Sequence, residues 1–119
     1  MVMDRVLKMP FSQVYSLLVA KAERKGRTRQ EVDRLTLWLT GYSPEELEQC
    51  MEGTVTYGDF FRNAPAINPL SQQVTGKICG VRVEEIADPL TRQIRVLDKL
   101  VDGLAKGKPL EKLIPGENS

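Results

Sequence analysis

Apolar positions along the chain recur at intervals of three and four, the period of helices buried along one side. From Pro10 to Lys25, Phe11, Val14, Tyr15, Leu18, Val19 and Ala22 share one face. Lys21, Arg24 and Lys25 gather in the last turn, where they suit the negative end of the helix dipole, and Gly26 supplies a left-handed stop. Thr28 and Glu31 then form a capping box, which predicts a second helix with a buried stripe of Val32, Leu35, Trp38 and Leu39, ending at Gly41. Ser43-Pro44-Glu45-Glu46 sets a cap, a proline at the first helical position and a glutamate at the third. A short helix carrying Leu47, Cys50 and Met51 follows, as far as Gly53. Thr56-Tyr57-Gly58-Asp59 caps a further short helix with Phe60 and Phe61 on it.

The rhythm then breaks. Ala64-Pro65 and Asn68-Pro69 push the residue before each proline away from the helical region, so residues 64–71 read as a loop. Residues 74–86 support two readings. Ile78, Val81 and Val83 among glycines suggest a strand or hairpin, with Val2 to Leu7 as a possible pairing partner; the same residues also suit a turn running into a short helix. Asp88-Pro89 opens the longest helix, with Leu90, Ile94, Leu97, Val101 and Leu104 at spacings of four and three, widened by Val96 and Leu100, up to Gly107. Leu110, Leu113 and Ile114 form a short apolar trailer, and residues 115–119 read as a flexible tail. The expected fold is mainly α: one compact multi-helix domain over residues 1–114, with a small two-stranded β element near residues 74–86. Its radius of gyration as a monomer would be about 13–14 Å.

Composition narrows the setting more than the function. The 119 residues are 41% hydrophobic and 28% charged, near globular averages. Two cysteines, Cys50 and Cys79, are too few for a disulfide framework. No apolar run approaches the ~20 residues of a membrane span, and residues 1–10 lack the apolar core of a signal peptide. A cytoplasmic protein with free thiols is the expectation, with no membrane partner. Net charge is +1, but residues 1–40 carry +4 and residues 41–70 carry −4. Histidine is absent, which removes the commonest neutral-pH base and every Ser-His-Asp, Cys-His, Cys₂His₂ or HExxH site within the chain. No metal site and no cofactor is expected; GxGxxG and GxxxxGK[ST] are both missing.

Several constellations remain as candidates. The second and third helices, joined by a short glycine-containing turn, have the outline of a helix-turn-helix, but Glu45, Glu46, Glu48 and Glu52 on the third would meet DNA phosphates with repulsion. The basic segment 21–29, with Lys25, Arg27 and Arg29, could contact phosphates; without interleaved aromatics it reads more readily as a solvated helix end. Cys79 has Lys77 and Arg82 nearby, yet a small buried thiol is the commoner fate. Glu84, Glu85 and Asp88 could serve as paired carboxylates or as ordinary helix-start acids. Asn68 could orient a ligand or close an Asx-turn. The stripe Leu90, Ile94, Leu97, Val101 and Leu104 could be core or a dimer seam.

The strings Ala22 to Thr28, Trp38 to Tyr42, Ile67-Asn68-Pro69, Arg82 to Ile86, Asp88-Pro89-Leu90, Leu97 to Val101 and Leu104 to Lys108 resemble, in order and content, a family of small bacterial proteins called domain of unknown function 2200. The resemblance runs over roughly residues 7 to 114. It implies a single cytoplasmic domain and transfers no activity, cofactor, partner or site residue. The leading expectation is a non-catalytic binding or protein-interaction module, homodimeric if the long helix offers its stripe to a second copy. The first alternative is a nucleic-acid-associated protein using residues 21–29. The second is a small histidine-free enzyme centred on Cys79 and Glu84–Asp88, with a pocket joining them to Asn68 and Arg82.

Overall fold

Polar caps decide where the helices begin. The computed structural model describes residues 3–78 and 80–114, and among them the chain forms seven α-helices. They are α1 (Met3–Lys8), α2 (Phe11–Glu23), α3 (Arg29–Thr40), α4 (Pro44–Glu52), α5 (Tyr57–Arg62), α6 (Pro89–Ala105) and α7 (Leu110–Leu113). The Thr28 and Ser43 side chains each accept from the N–H three residues on, while Glu31 and Glu46 accept from the cap N–H, so both capping boxes are complete. Thr56 and Asp88 cap α5 and α6 through the N–H groups of Asp59 and Thr91. Each cap satisfies donors that would otherwise lack an intrahelical partner.

α6 is the axis of the core. It packs against α2, α3, α5 and α7. Ile94, Val96, Leu97, Leu100, Val101 and Leu104 are each at most 2% exposed. The stripe proposed as a dimer seam is therefore covered by the chain's own helices, with only Leu90 part-exposed at its start. All three phenylalanines and all three tyrosines form one aromatic cluster joining α2, α5 and the turn before α4. Phe11 lies at its centre, stacked 4.0 Å from Phe60 and 5.0 Å from Tyr15 between ring centroids. The radius of gyration of the chain is 13.2 Å, as expected of one compact domain of this length.

Residues 74–86 satisfy both sequence readings in succession. β1 (Lys77–Ile78) pairs antiparallel with β2 (Val81–Arg82), and a 3-10 turn over Val83–Glu85 follows at once. The strand partner is local, so Val2 to Leu7 is not needed; residues from Met3 to Lys8 are helix α1 instead. Val6 and Leu7 pack on the core, and α1 lies against α5. The anticipated loop 64–71 is also corrected in part: Asn68 caps a 3-10 turn over Pro69–Gln73. Proline at the first position of that turn loses nothing by lacking an N–H. Residues 115–119, expected to be a tail, and Cys79 lie outside the described residues. No helix among the described residues is long and apolar enough to cross a membrane.

Candidate functional site

Of the residues weighed as an enzyme site, Asn68, Glu84 and Asp88 are each held by local bonds, and Cys79 lies outside the described residues. Asn68 Oδ1 accepts from the Leu70 N–H at 2.9 Å, the Asx-turn geometry. Glu84 accepts from the Gly76 N–H at 3.0 Å and lies 3.7 Å from Arg82, tying the hairpin to the turn that follows. Those bonds hold the Glu84 carboxyl below its ordinary value. Asp88 is bonded to the Thr91 hydroxyl and N–H, which lowers its pKa likewise. Arg82, Glu84, Glu85 and Asp88 all face solvent. Among the described residues, no group of three His, Cys, Asp or Glu side chains could hold a metal ion. Cys50 is part-buried, and burial raises its thiol pKa, so it is a poor nucleophile.

The basic segment 21–29 is largely tied inward. Arg27 forms a close ion pair with Glu31 (2.6 Å) and donates to the backbone oxygens of Leu104 (3.3 Å) and Lys108 (3.1 Å). It fastens the α2–α3 turn onto the C-terminal end of α6, where carbonyls lack helical partners. The Arg27 hydrogen bond is the main reason the Glu31 carboxyl falls to about 2. Arg29 pairs with Asp33 at 3.4 Å and with Glu48 across the α3–α4 turn. Lys21 pairs with Asp102 at 3.3 Å. Lys25 is exposed at the helix end. Three of the cations that suggested phosphate binding thus have structural partners.

A different site stands out between α3 and α4. Leu37, Trp38, Pro44 and Leu47 floor a groove of about 550 Å³, with Asp33, Arg34 and Glu48 on its rim. That volume falls within the ~300–1,000 Å³ of small-ligand pockets, and the floor has the apolar character such sites share. Sequence periodicity placed Trp38 in the buried stripe of α3, and the structure corrects this. Val32, Leu35 and Leu39 are 0% exposed, but Trp38 is only part-buried. Six residues on from Val32, Trp38 is turned about 120° away around the helix. Thr36 and Thr40 take inward positions in its stead, each hydroxyl bonded to the carbonyl four residues back. That angular offset was the signal available in the sequence. The one aromatic outside the cluster therefore lines the groove.

The family model described as an uncharacterized protein conserved in bacteria, domain of unknown function 2200, matches residues 5–115. The chain belongs to that family. A crystal structure of the uncharacterized protein SP1917 is similar over 97% of this chain and 94% of that one, with 50% sequence identity and a TM-score of 0.90. No curated protein matches the chain.

Proposed function

We propose that this chain is a non-catalytic interaction module that docks a short amphipathic segment of another protein in the α3–α4 groove. The carrying observation is Trp38, part-exposed on an apolar floor, while every other aromatic side chain is in the core cluster. A tryptophan presented this way is a common anchor of binding energy. Charge favours one kind of occupant. α4 carries Glu45, Glu46, Glu48 and Glu52 and no Lys or Arg, and of these Glu48 lines the groove, beside Asp33 and Arg34. An apolar segment flanked by lysine or arginine complements that helix, and an acidic one is repelled. The absence of histidine and the structural bonds of Asn68, Glu84 and Asp88 support a role without catalysis. The small number of cysteines suits the reducing cytoplasm.

Trp38 is the only tryptophan, so its emission reports directly on the groove. Titration with a leucine–lysine amphipathic peptide should shift that emission, and a leucine–glutamate peptide should not. With the peptide labelled, anisotropy should show Trp38→Ala weakening binding by about thirtyfold, the usual effect of losing a ~2 kcal/mol anchor. Leu17→Ala, at a surface leucine 62% exposed on α2, should change nothing. Equal binding to the wild type and Trp38→Ala would remove the groove from consideration.

A further inference from the structure

A second cavity has the opposite chemistry. It lies where α7 folds back against the C-terminal half of α6, and it has a volume of about 210 Å³. Four lysines line it: Lys99 from the body of α6, Lys106 just past its end, Lys108 from the connecting loop and Lys112 from α7. A single carboxylate, Asp102, shares the wall, and it already pairs with Lys106 at 3.0 Å and with Lys21 at 3.3 Å. Five ammonium groups thus meet one carboxylate. Lys99 also donates to the Lys77 carbonyl at 3.1 Å, which holds its head beside the β-hairpin. Lys108 and Lys112 have no side-chain partner among the described residues.

Two features make this more than a scatter of surface lysines. First, the walls are shaped. Gly103 lets α7 approach so closely that a Cβ there would lie 2.6 Å from Leu113, and that approach brings Lys112 to the same cleft as Lys99. Second, a guanidinium reaches the helix end beside the cleft. The C-terminal carbonyls of α6 would repel an anion; Arg27 bonds one of them, that of Leu104, and the Lys108 carbonyl of the loop beyond. The charged side chains that line the cleft are the four lysines and Asp102.

We infer that this cleft binds a small anion carrying a diphosphate group. Four lysines, one of them offset by Asp102, match the roughly three to four negative charges of two linked phosphates better than the two of a single phosphate. The volume lies below the ~300 Å³ at which drug-sized pockets begin, so the phosphates are seated and any attached group stays outside. The site is distinct from the Trp38 groove and does not depend on it.

The test is calorimetric titration of the full chain in about 0.15 M salt, where weak surface attraction is screened. The probes are inorganic diphosphate, orthophosphate, adenosine diphosphate and a short single-stranded oligonucleotide. Both diphosphates should bind at least about tenfold more tightly than orthophosphate, because charge-assisted bonds form to two groups rather than one. Lys108→Gln with Lys112→Gln should weaken diphosphate by about tenfold or more, while Lys25→Gln, exposed elsewhere, should leave it unchanged. Equal affinity for the two diphosphates would mean that the phosphates alone are recognised; tighter adenosine diphosphate would name a nucleotide as the source. The inference fails if neither diphosphate binds at millimolar concentration, or if the Lys25 variant loses as much as the double variant. It also fails if the oligonucleotide binds more tightly than either diphosphate.

Discussion

Removing one oxygen from either of two buried tyrosines should change stability in opposite directions. Tyr15 and Tyr57 both stack on Phe11 and are 0% and 1% exposed. The Tyr15 hydroxyl donates to Asp33 Oδ1 at 2.6 Å and lies 3.1 Å from the Thr36 hydroxyl, joining α2 to α3. The Tyr57 hydroxyl has no partner among the described residues. Burial is the main cause that raises both phenols well above their ordinary pKa, so both stay neutral at any ordinary pH. A hydrogen bond to a charged acceptor contributes about 1.5–3 kcal/mol, and a buried polar group without one costs about 1–3 kcal/mol. Tyr15→Phe should therefore destabilise the fold by about 2 kcal/mol, while Tyr57→Phe should stabilise it by about 1 kcal/mol.

Urea unfolding followed by circular dichroism measures both. The midpoint should move down for Tyr15→Phe and up for Tyr57→Phe with the slope unchanged, which confines the effect to stability. In thermal scans, at about 4 °C per kcal/mol for a chain of this size, the shifts would be about −8 °C and +4 °C. A Tyr57→Phe protein as destabilised as Tyr15→Phe would refute the reasoning, because it would mean that the Tyr57 hydroxyl is hydrogen-bonded.

Glu31 gives a pH signature. Its carboxyl is depressed to about 2 from an ordinary 4.5, first by Arg27, so the stabilisation is complete above about 4.5 and is lost as pH falls toward about 2. Solvent screening of this part-exposed pair keeps the effect near 1 kcal/mol; Glu31→Gln should flatten the stability profile across that window, and an unchanged profile would show that another carboxyl dominates it. Gly41→Ala should cost about 2–4 kcal/mol in urea unfolding, because its φ of +79° is left-handed and a Cβ would sit 2.9 Å from the Ala66 carbonyl. Gly26→Ala, at φ +81° with nothing within 4 Å, should cost only the backbone share of about 1–2 kcal/mol; equal losses at the two glycines would deny any role to the Ala66 contact.

What the sequence reveals and what it hides divide along one physical line. Helix starts depend on bonds spanning three residues, so Thr28, Ser43, Thr56 and Asp88 could be read directly as caps. The stripe of α6 was visible from its spacing, but whether it faced a core or a second subunit was not. That was decided by α2, α3 and α5 folding over it. α1 is hidden because six residues with no clear cap and only Val6 and Leu7 packed on the core are too short to show a helical period. Both cavities lie between consecutive helices, and their lining depends on how those helices turn and pack. Lys99, Lys106, Lys108 and Lys112 look like ordinary solvated lysines until α7 folds back at Gly103. Arg27 looked like a free cation of a basic run, yet its partners Leu104 and Lys108 lie more than seventy residues away. The segment weighed as a phosphate site thus sends Arg27 to the helix end beside the lysine-lined cleft. If diphosphate binds there, Arg27 assists without touching it, and the basic first third of the chain acts by supporting the cleft rather than by forming it.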